Sequence, residues 1–342
     1  MTLWERTQAL APTTAELGAV PDVAPDVLGP LLADPTVDEV LVNGPDQVWV
    51  ERRGRLQRAP TRFVDAEALR DACARLVASA GRRIDDASPL VDARLADGSR
   101  LHVVLPPVAP DGPLLSLRRF SPRAFTLGEL VERGALEQAV ADLLGACVAA
   151  RLDCVIAGGT STGKTSLLGA LAGLADATER IVTVEDSAEL RIDRPHVVRL
   201  EARPASLEGT GAVSIRELVR NALRMRPDRL IVGEVRGGEA LDLLQAMNTG
   251  HDGSLTTVHA NTPSGALRRL ELLALYAGVE LPHSVVREQV ATAIDVVVQL
   301  RRLRDGSRRV AAVHGVAEQD GSWRLESIDA LRATVAAAVD LP

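Results

Sequence analysis

The chain has 342 residues, a net charge of −7 and 46% hydrophobic against 25% charged residues. At roughly 150 residues per domain, that length predicts two globular domains, and the acidic balance argues against a general nucleic-acid coat while leaving room for a local basic channel. No run of about 18 apolar residues occurs, since the best stretch, 143–158, is broken by Arg151 and Asp153, so no membrane-spanning helix is expected.

Residues 1–12 lack the basic-then-apolar pattern of a secretion signal. Cys73, Cys147 and Cys154 are scattered and lack metal-ligand spacing, which predicts buried thiols in a reducing, cytoplasmic compartment. Aromatic residues are 2% of the chain, so Leu, Val, Ile and Ala must fill the core.

In chain order, residues 1–27 read as a short lead-in rich in Ala, Pro and Thr. A small N-terminal α+β domain is predicted over 28–122. Residues 37–42 and 48–51 are strands joined by the turn Asn43-Gly44-Pro45, with a second turn at Arg53-Gly54. Residues 65–80 carry Ala66, Leu69, Ala72, Cys73, Leu76 and Val77 at helical spacing and predict an amphipathic helix ending near Gly81. Extended segments at 99–105 and 113–120 flank a Pro-rich loop.

Residues 123–150 read as a helical connection, with helices over 127–133 and 136–151. From 151 to 342 short apolar strands alternate with helices. The strands are 154–157, 181–185, 230–232 and 255–259, and the helices run to Leu174 and over 214–226, 238–249 and 263–276. That alternation predicts an α/β domain with a parallel sheet covered on both faces. The caps agree: Ser214 with Glu217 three residues on, Thr262 before Pro263, and Gly250 after a helix end. Beyond Asp295 the segments 296–300, 309–316 and 323–328, separated by Asp305-Gly306 and Asp320-Gly321 turns, read as an antiparallel meander.

Of 39 basic residues, 38 are Arg and one, Lys164, is Lys. It falls inside Gly158-Gly159-Thr160-Ser161-Thr162-Gly163-Lys164-Thr165, which fits G-x-x-x-x-G-K-[ST] between a strand and a helix beginning near Ser166. Backbone N–H groups of such a loop cradle a β-phosphate at a helix N-terminus. The Lys ammonium reaches the β- and γ-phosphates, and the Thr165 hydroxyl is a ligand for Mg²⁺. A nucleoside triphosphate and Mg²⁺ are therefore expected, and the choice of ATP is what the family resemblance given below implies.

Further acids follow apolar strands. In Arg229-Leu-Ile-Val-Gly233-Glu234, Gly233 stands where an Asp would ordinarily end the strand, and Glu234 is placed to orient the attacking water. Glu185, Asp186 and Glu189 follow residues 181–184; Glu185 is a candidate catalytic or metal-organising acid, Asp186 an acid or a turn residue, and Glu189 a support. His259 ends one strand and could sense the γ-phosphate or position Glu234, while His251 precedes the same strand as either a functional or a hydrogen-bonded structural residue. Arg301, Arg302, Arg304, Arg308 and Arg309 form a dense basic hairpin, read first as a solvated face. In the N-terminal domain, Arg94, Arg100, Arg118 and Arg119 lie on or beside extended segments.

Taken together, these motifs resemble those of the type II/type IV secretion ATPase superfamily, and most nearly its Flp (tight-adherence) pilus assembly branch. The resemblance rests on the phosphate loop, Thr183-Val-Glu-Asp186 with Glu189, Gly233-Glu-Val-Arg-Gly-Gly-Glu239, and residues 249–261, Thr-Gly-His-Asp-Gly-Ser-Leu-Thr-Thr-Val-His-Ala-Asn. In the first domain, Val42-Asn-Gly-Pro45, Arg94-Leu-Ala-Asp-Gly-Ser-Arg100 and Ser116-Leu-Arg-Arg-Phe120 resemble the family's N-terminal signature, with Ala96 where Pro is usual.

The resemblance implies a RecA-like P-loop domain beside a PAS-like N-terminal domain. It implies a homohexamer that hydrolyses ATP and pushes on an inner-membrane platform protein, the chain itself lying on the cytoplasmic face through its partners. Glu185 and Glu234 would be the acidic catalytic pair, with His259 and Arg236 coupling hydrolysis to movement. Ser166 would follow the loop's Thr165, and Arg100, Arg118 and Arg119 would reach the phosphates. A nucleic-acid motor on a similar core is the alternative; seven aromatic residues and the acidic pI disfavour it, and no stable nucleic-acid partner is expected.

Overall fold

A computed structural model describes residues 27–52, 54–120, 124–203 and 210–339. The chain divides into two compact units, Met1–Ser121 and Pro122–Pro342.

The first unit is built on a six-stranded sheet. Its elements are α1 (Gly29–Ala33), β1 (Val37–Val42), β2 (Val48–Arg52), β3 (Arg55–Arg58), α2 (Ala66–Ser79), β4 (Leu90–Arg94), β5 (Arg100–Val104) and β6 (Leu114–Arg118). The spatial order is β3-β2-β1-β6-β5-β4, with every neighbouring pair antiparallel. Along α2, Leu69, Ala72, Cys73, Leu76 and Val77 are buried, and this stripe closes over Val40, Val42, Val48, Val50, Leu101, Val103 and Leu115 of the sheet. Asp65 starts the helix by accepting from the Ala68 amide at 2.8 Å. Gly81, at φ 68°, stops it in the left-handed conformation that glycine adopts freely. β3 and β4, which the periodicity does not reveal, are edge strands; β3 is exposed along its length.

The second unit starts with α3 (Leu127–Glu132) and α4 (Gln138–Ala149), followed by β7 (Cys154–Gly158), α5 (Lys164–Ala172), β8 (Ile181–Glu185), β9 (Val197–Glu201), α6 (Ile215–Ala222), β10 (Arg229–Val235), α7 (Glu239–Met247), β11 (Leu255–His259), α8 (Pro263–Leu275), α9 (His283–Ala293), β12 (Val296–Arg302), β13 (Arg308–Gln319), β14 (Ser322–Glu326) and α10 (Ile328–Val339). The eight-stranded sheet runs β14-β13-β12-β7-β11-β10-β8-β9, with β12 through β9 mutually parallel and β13 and β14 antiparallel. The meander expected after Asp295 is present. Its first strand, however, joins β7 in parallel, so the meander extends the main sheet. β9, α9 and α10 are further elements that the sequence pattern leaves unread.

Side chains alternate across this sheet as strand geometry requires. Val155, Ala157, Val182, Val184, Leu230 and Val232 pack on one face with α7, α8 and α9. Cys154, Ile156, Ile231, Val296 and Val298 pack on the other with α4, α5 and α10. The expected caps form: Ser214 and Glu217 make a reciprocal capping box, and Thr262 accepts from the Gly265 amide at 3.0 Å ahead of Pro263. Gly250 takes φ 93°, two residues beyond the Asn248 cap.

Two charged knots fasten the lower edge of the sheet. Arg229, 2% exposed, pairs with Glu179 at 2.5 Å and also donates to the Val148 carbonyl. Asp153 lies at the start of β7, where its carboxylate accepts from the Ser254 amide at 2.7 Å and its own amide donates to Asp295 at 2.8 Å. Burial first, and the Asp295 carboxylate second, push the Asp153 carboxyl up to about 9.

Candidate nucleotide-binding site

β7, β11, β10 and β8 are parallel neighbours, so their C-terminal ends share one edge of the sheet. That edge is where ligands of open α/β sheets bind. Gly158, His259, Glu234 and Glu185 stand along it, and His259 lies directly opposite Gly158 in the register. His251 sits before β11 begins, at the opposite edge, where its ring Nδ1 lies 3.2 Å from the Ala246 carbonyl. The strand separates the two histidines, and only His259 joins the acids.

The loop from Gly158 to Gly163 leaves buried β7 and turns into α5. Ser161 takes φ 55° and Gly163 takes φ 93°, two left-handed residues that reverse the chain within one turn. A Cβ on Gly158 would lie 2.4 Å from Thr162 Oγ1 and 3.3 Å from Leu300, so a side chain there would displace the Thr162 hydroxyl that donates to Gly159. Successive amides of such a loop converge on an anion, and its carbonyls turn outward and need donors. Lys164 Nζ donates to the Gly158 and Gly159 carbonyls at 3.1 and 2.9 Å, and Thr162 Oγ1 donates to Gly159 at 3.0 Å. Thr160 is exposed, while Ser161, Lys164, Thr165 and Ser166 are half-buried around the opening of the loop.

The acids are positioned by backbone. Glu185 is 3% exposed; its Oε1 accepts from the Glu189 and Leu190 amides at 2.9 and 2.8 Å. Its Oε2 is buried with no hydrogen-bond partner among the described residues. Burial raises this carboxyl to about 6, the two amide bonds opposing the rise. A Cβ on Gly233 would come within 2.9 Å of Glu185 Cγ, so a side chain at 233 would require the Glu185 carboxylate to move.

Glu234 Oε2 accepts from Arg236 Nε and Nη2 at 3.0 and 2.7 Å, while Arg236 Nη1 donates to Asp186 at 3.1 Å. The Arg236 and Gly237 amides both donate to Glu239 Oε1, which fixes the turn that carries the guanidinium. Asp186 is thus one of two carboxylates held by a single arginine.

An orphaned carboxylate oxygen on Glu185 and the Thr165 hydroxyl near the loop are the hard oxygen donors that Mg²⁺ takes. No group of three or more His, Cys, Asp or Glu that could hold a metal occurs among the described residues. Magnesium in phosphate sites is ordinarily held by one or two protein oxygens plus the phosphates, and this donor set fits that mode.

In the first unit, Arg94, Arg100 and Arg118 stand in register across β4, β5 and β6, with Glu39 of β1 opposite Arg118. Residues directly opposite share a face, so three arginines line one row. Arg119 is differently engaged: its Nη1 donates to the Asp34 and Val37 carbonyls, clasping the entry to β1.

Two further residues that the sequence did not point to stand near this edge, one beside β7 and one bonded to the loop. Gln299, 2% exposed on β12 opposite Ala157, donates to the Ala260 and Leu300 carbonyls at 3.3 and 2.9 Å. A lone amide inside Val296-Val-Val-Gln-Leu300 was the available signal. Arg308 belongs to the hairpin read as a solvated face, yet its Nε donates to the Ser161 carbonyl at 3.0 Å. For Arg308 that reading is corrected, because the β12–β13 register turns this side chain to the loop and leaves Arg309 exposed.

The sequence matches the family described as type II/IV secretion system protein over residues 25–336. A Mycobacterium tuberculosis protein named for conjugal transfer is 46% identical over 301 residues, covering 86% of this chain and 85% of that protein. The type IV secretion system protein PtlH of Bordetella pertussis is 36% identical over 329 residues, covering 84% and 95%. Among solved structures, the ATPase DotB of Yersinia pseudotuberculosis superposes with a TM-score of 0.60 at 16% identity, over 89% of this chain and 81% of that one, which is a likeness of fold.

Proposed function

We propose that this chain, which belongs to the type II/IV secretion system ATPase superfamily, is a motor that hydrolyses ATP at the C-terminal edge of its eight-stranded sheet. ATP hydrolysis is the activity of that superfamily. The observation that carries the reading is the meeting on one edge of a left-handed, lysine-closed phosphate loop and a buried acid with a vacant oxygen.

Amides from Gly158 to Ser166 hold the phosphates at the start of α5, and Lys164 offsets the β- and γ-phosphate charge. Thr165 and Glu185 would hold Mg²⁺, which would supply Lewis-acid stabilisation of developing phosphate charge. Glu234 takes the proton of the attacking water, and Arg236 fixes its carboxylate in one orientation. His259, next to Gly158 across the strand pair, responds to the loop and carries its movement along β11. Arg100 and Arg118 are the further cations that offset triphosphate charge, while Arg119 is taken up by the Asp34 and Val37 carbonyls.

The finer reading is a homohexamer acting on an inner-membrane platform protein in Flp-type pilus assembly or type IV secretion, associated with the membrane through that partner. The N-terminal signature and residues 249–261 support the pilus branch, and the relatives named for conjugal transfer and type IV secretion support the broader class. Among the described residues no helix is long and apolar enough to cross a membrane, which fits attachment through a partner.

The test is ATP turnover by the purified chain beside Glu234→Gln and Lys164→Ala, with mass by light scattering in Mg-ATP. Turnover by a particle near six chains is expected, lost in both variants, with nucleotide binding kept in Glu234→Gln. Normal hydrolysis by Lys164→Ala would overturn the reading. Strong stimulation by DNA at physiological salt would instead favour a nucleic-acid motor.

A further inference from the structure

We propose that Arg308, on the arginine-rich β12–β13 hairpin, is a positioning residue that holds the phosphate loop in its nucleotide-binding shape through the Ser161 carbonyl. The inference rests on the reading of residues 158–166 as the nucleotide site.

A loop that aims its amides at an anion must turn its carbonyls the other way, and each outward carbonyl needs a donor of its own. Three donors inside the loop and its helix serve Gly158, Gly159 and Gly163: Lys164 Nζ, Thr162 Oγ1 and the Leu167 amide. The Ser161 carbonyl is served from outside, by Arg308 Nε at 3.0 Å across 147 positions of sequence. Ser161 is also where the loop is most dependent on outside support. It holds φ 55° with a side chain, a conformation that non-glycine residues keep only when the surroundings enforce it. The Arg308 side chain completes the enclosure by running past Gly163, whose Cβ position lies 3.6 Å from Arg308 Cδ.

The chemistry of the contact is specific. The donor is Nε, not the tip of the guanidinium, and a lysine in its place carries a methylene at that point of the chain. Arginine is therefore required for the bond itself, whereas the charge alone would be replaceable. Because the loop grips phosphate equally in the ground state and the transition state, its loss raises KM and leaves kcat near its original value.

The experiment measures the Kd of Mg-ADP and the KM and kcat for ATP in the full chain. Arg308→Ala and Arg308→Lys are each expected to weaken Mg-ADP about fivefold, the size of one lost hydrogen bond, with KM rising in step. The exposed neighbour Arg309→Ala is expected to bind as the original chain does. Adding Ser161→Gly to Arg308→Lys recovers part of the affinity, since glycine takes the left-handed conformation without support while the carbonyl of residue 161 still lacks its donor. A merely structural role for the hairpin would not be repaired by that second change. Wild-type affinity in Arg308→Lys, or no repair by Ser161→Gly, overturns the inference. Absence of Mg-ADP binding in the unaltered chain overturns the reading of the site as well. If Arg308→Ala fails to fold, the Lys variant decides the matter alone.

Discussion

Gly233 and Glu185 share one volume: a Cβ on the glycine would stand 2.9 Å from the glutamate's Cγ. The two residues come from neighbouring parallel strands, β10 and β8, and lie at their C-terminal ends. Glu185 on β8 therefore fills the space beside β10 that a side chain at 233 would need. Gly233→Ala is expected to displace Glu185, lowering turnover on the order of 10²-fold and costing about 1–3 kcal/mol of stability through overpacking. Steady-state kinetics and thermal unfolding read both effects. Unchanged turnover by a folded variant would remove Glu185 from the chemistry.

Arg236 bridges Glu234 and Asp186 while its own side chain is 61% exposed. An exposed pair of this kind adds about 0–1 kcal/mol to stability, so its loss is expected to show in turnover more than in folding. Arg236→Ala is expected to melt within a degree or two of the original chain, to keep its affinity for Mg-ADP, and to lose roughly tenfold in kcat. Arg236→Lys should recover little, because one ammonium cannot reproduce a fork across two carboxylates. Equal loss of binding and turnover would contradict the assignment.

Asp153 gives a pH signature at the edge away from the site. Its carboxyl is raised from 3.8 to about 9, chiefly by burial, with Asp295 and Asp252 adding like charge. A folded pKa above the unfolded one means that the native state binds the extra proton. The associated stability is full below about pH 4 and is lost as pH climbs toward 9. Asp153→Asn keeps an acceptor for the Ser254 amide and no longer titrates. It should flatten the fall in stability between pH 5 and 9, by a few kcal/mol at the alkaline end. Denaturant midpoints for the two proteins across that range measure the difference; parallel slopes would refute it.

Arg100 stands between Arg94 and Arg118 in one cross-strand row. Glu39 of β1 continues the row opposite Arg118, so the row holds cations beside an acid on one face. Arg100→Ala and Arg118→Ala should each raise KM for ATP several-fold, in line with a charge-assisted hydrogen bond worth about 1.5–3 kcal/mol. Arg119→Ala should lower the melting temperature of the nucleotide-free chain, because that side chain clasps the Asp34 and Val37 carbonyls.

Sequence alone made the phosphate loop and the strand-end acids legible because phosphate chemistry fixes both residue type and spacing over a few positions. Glu185 and Glu234 stand out for that reason, as does His259 at the end of an apolar strand. The absence of an Asp at 233 was visible as an anomaly. The contact that a side chain at 233 would meet was not, since it lies across two strands. β3 escaped because Arg55-Leu-Gln-Arg58 is an exposed edge with no apolar alternation. α9 escaped because His283, Arg287, Glu288 and Gln289 dilute its buried positions Val286, Val290, Ala291 and Ala293. The Arg308 contact with Ser161 depends on hairpin register and on the order of strands in the sheet, neither of which any local pattern carries.

Lys164 closes the loop with an ammonium that has no equal elsewhere in the chain, where every other basic residue is Arg. An amine-directed reagent consequently meets a single side chain, and that side chain lies in the loop itself. The peptide bearing residue 164 becomes a built-in reporter: the rate at which it gains mass follows loop occupancy, nucleotide by nucleotide, without an engineered label.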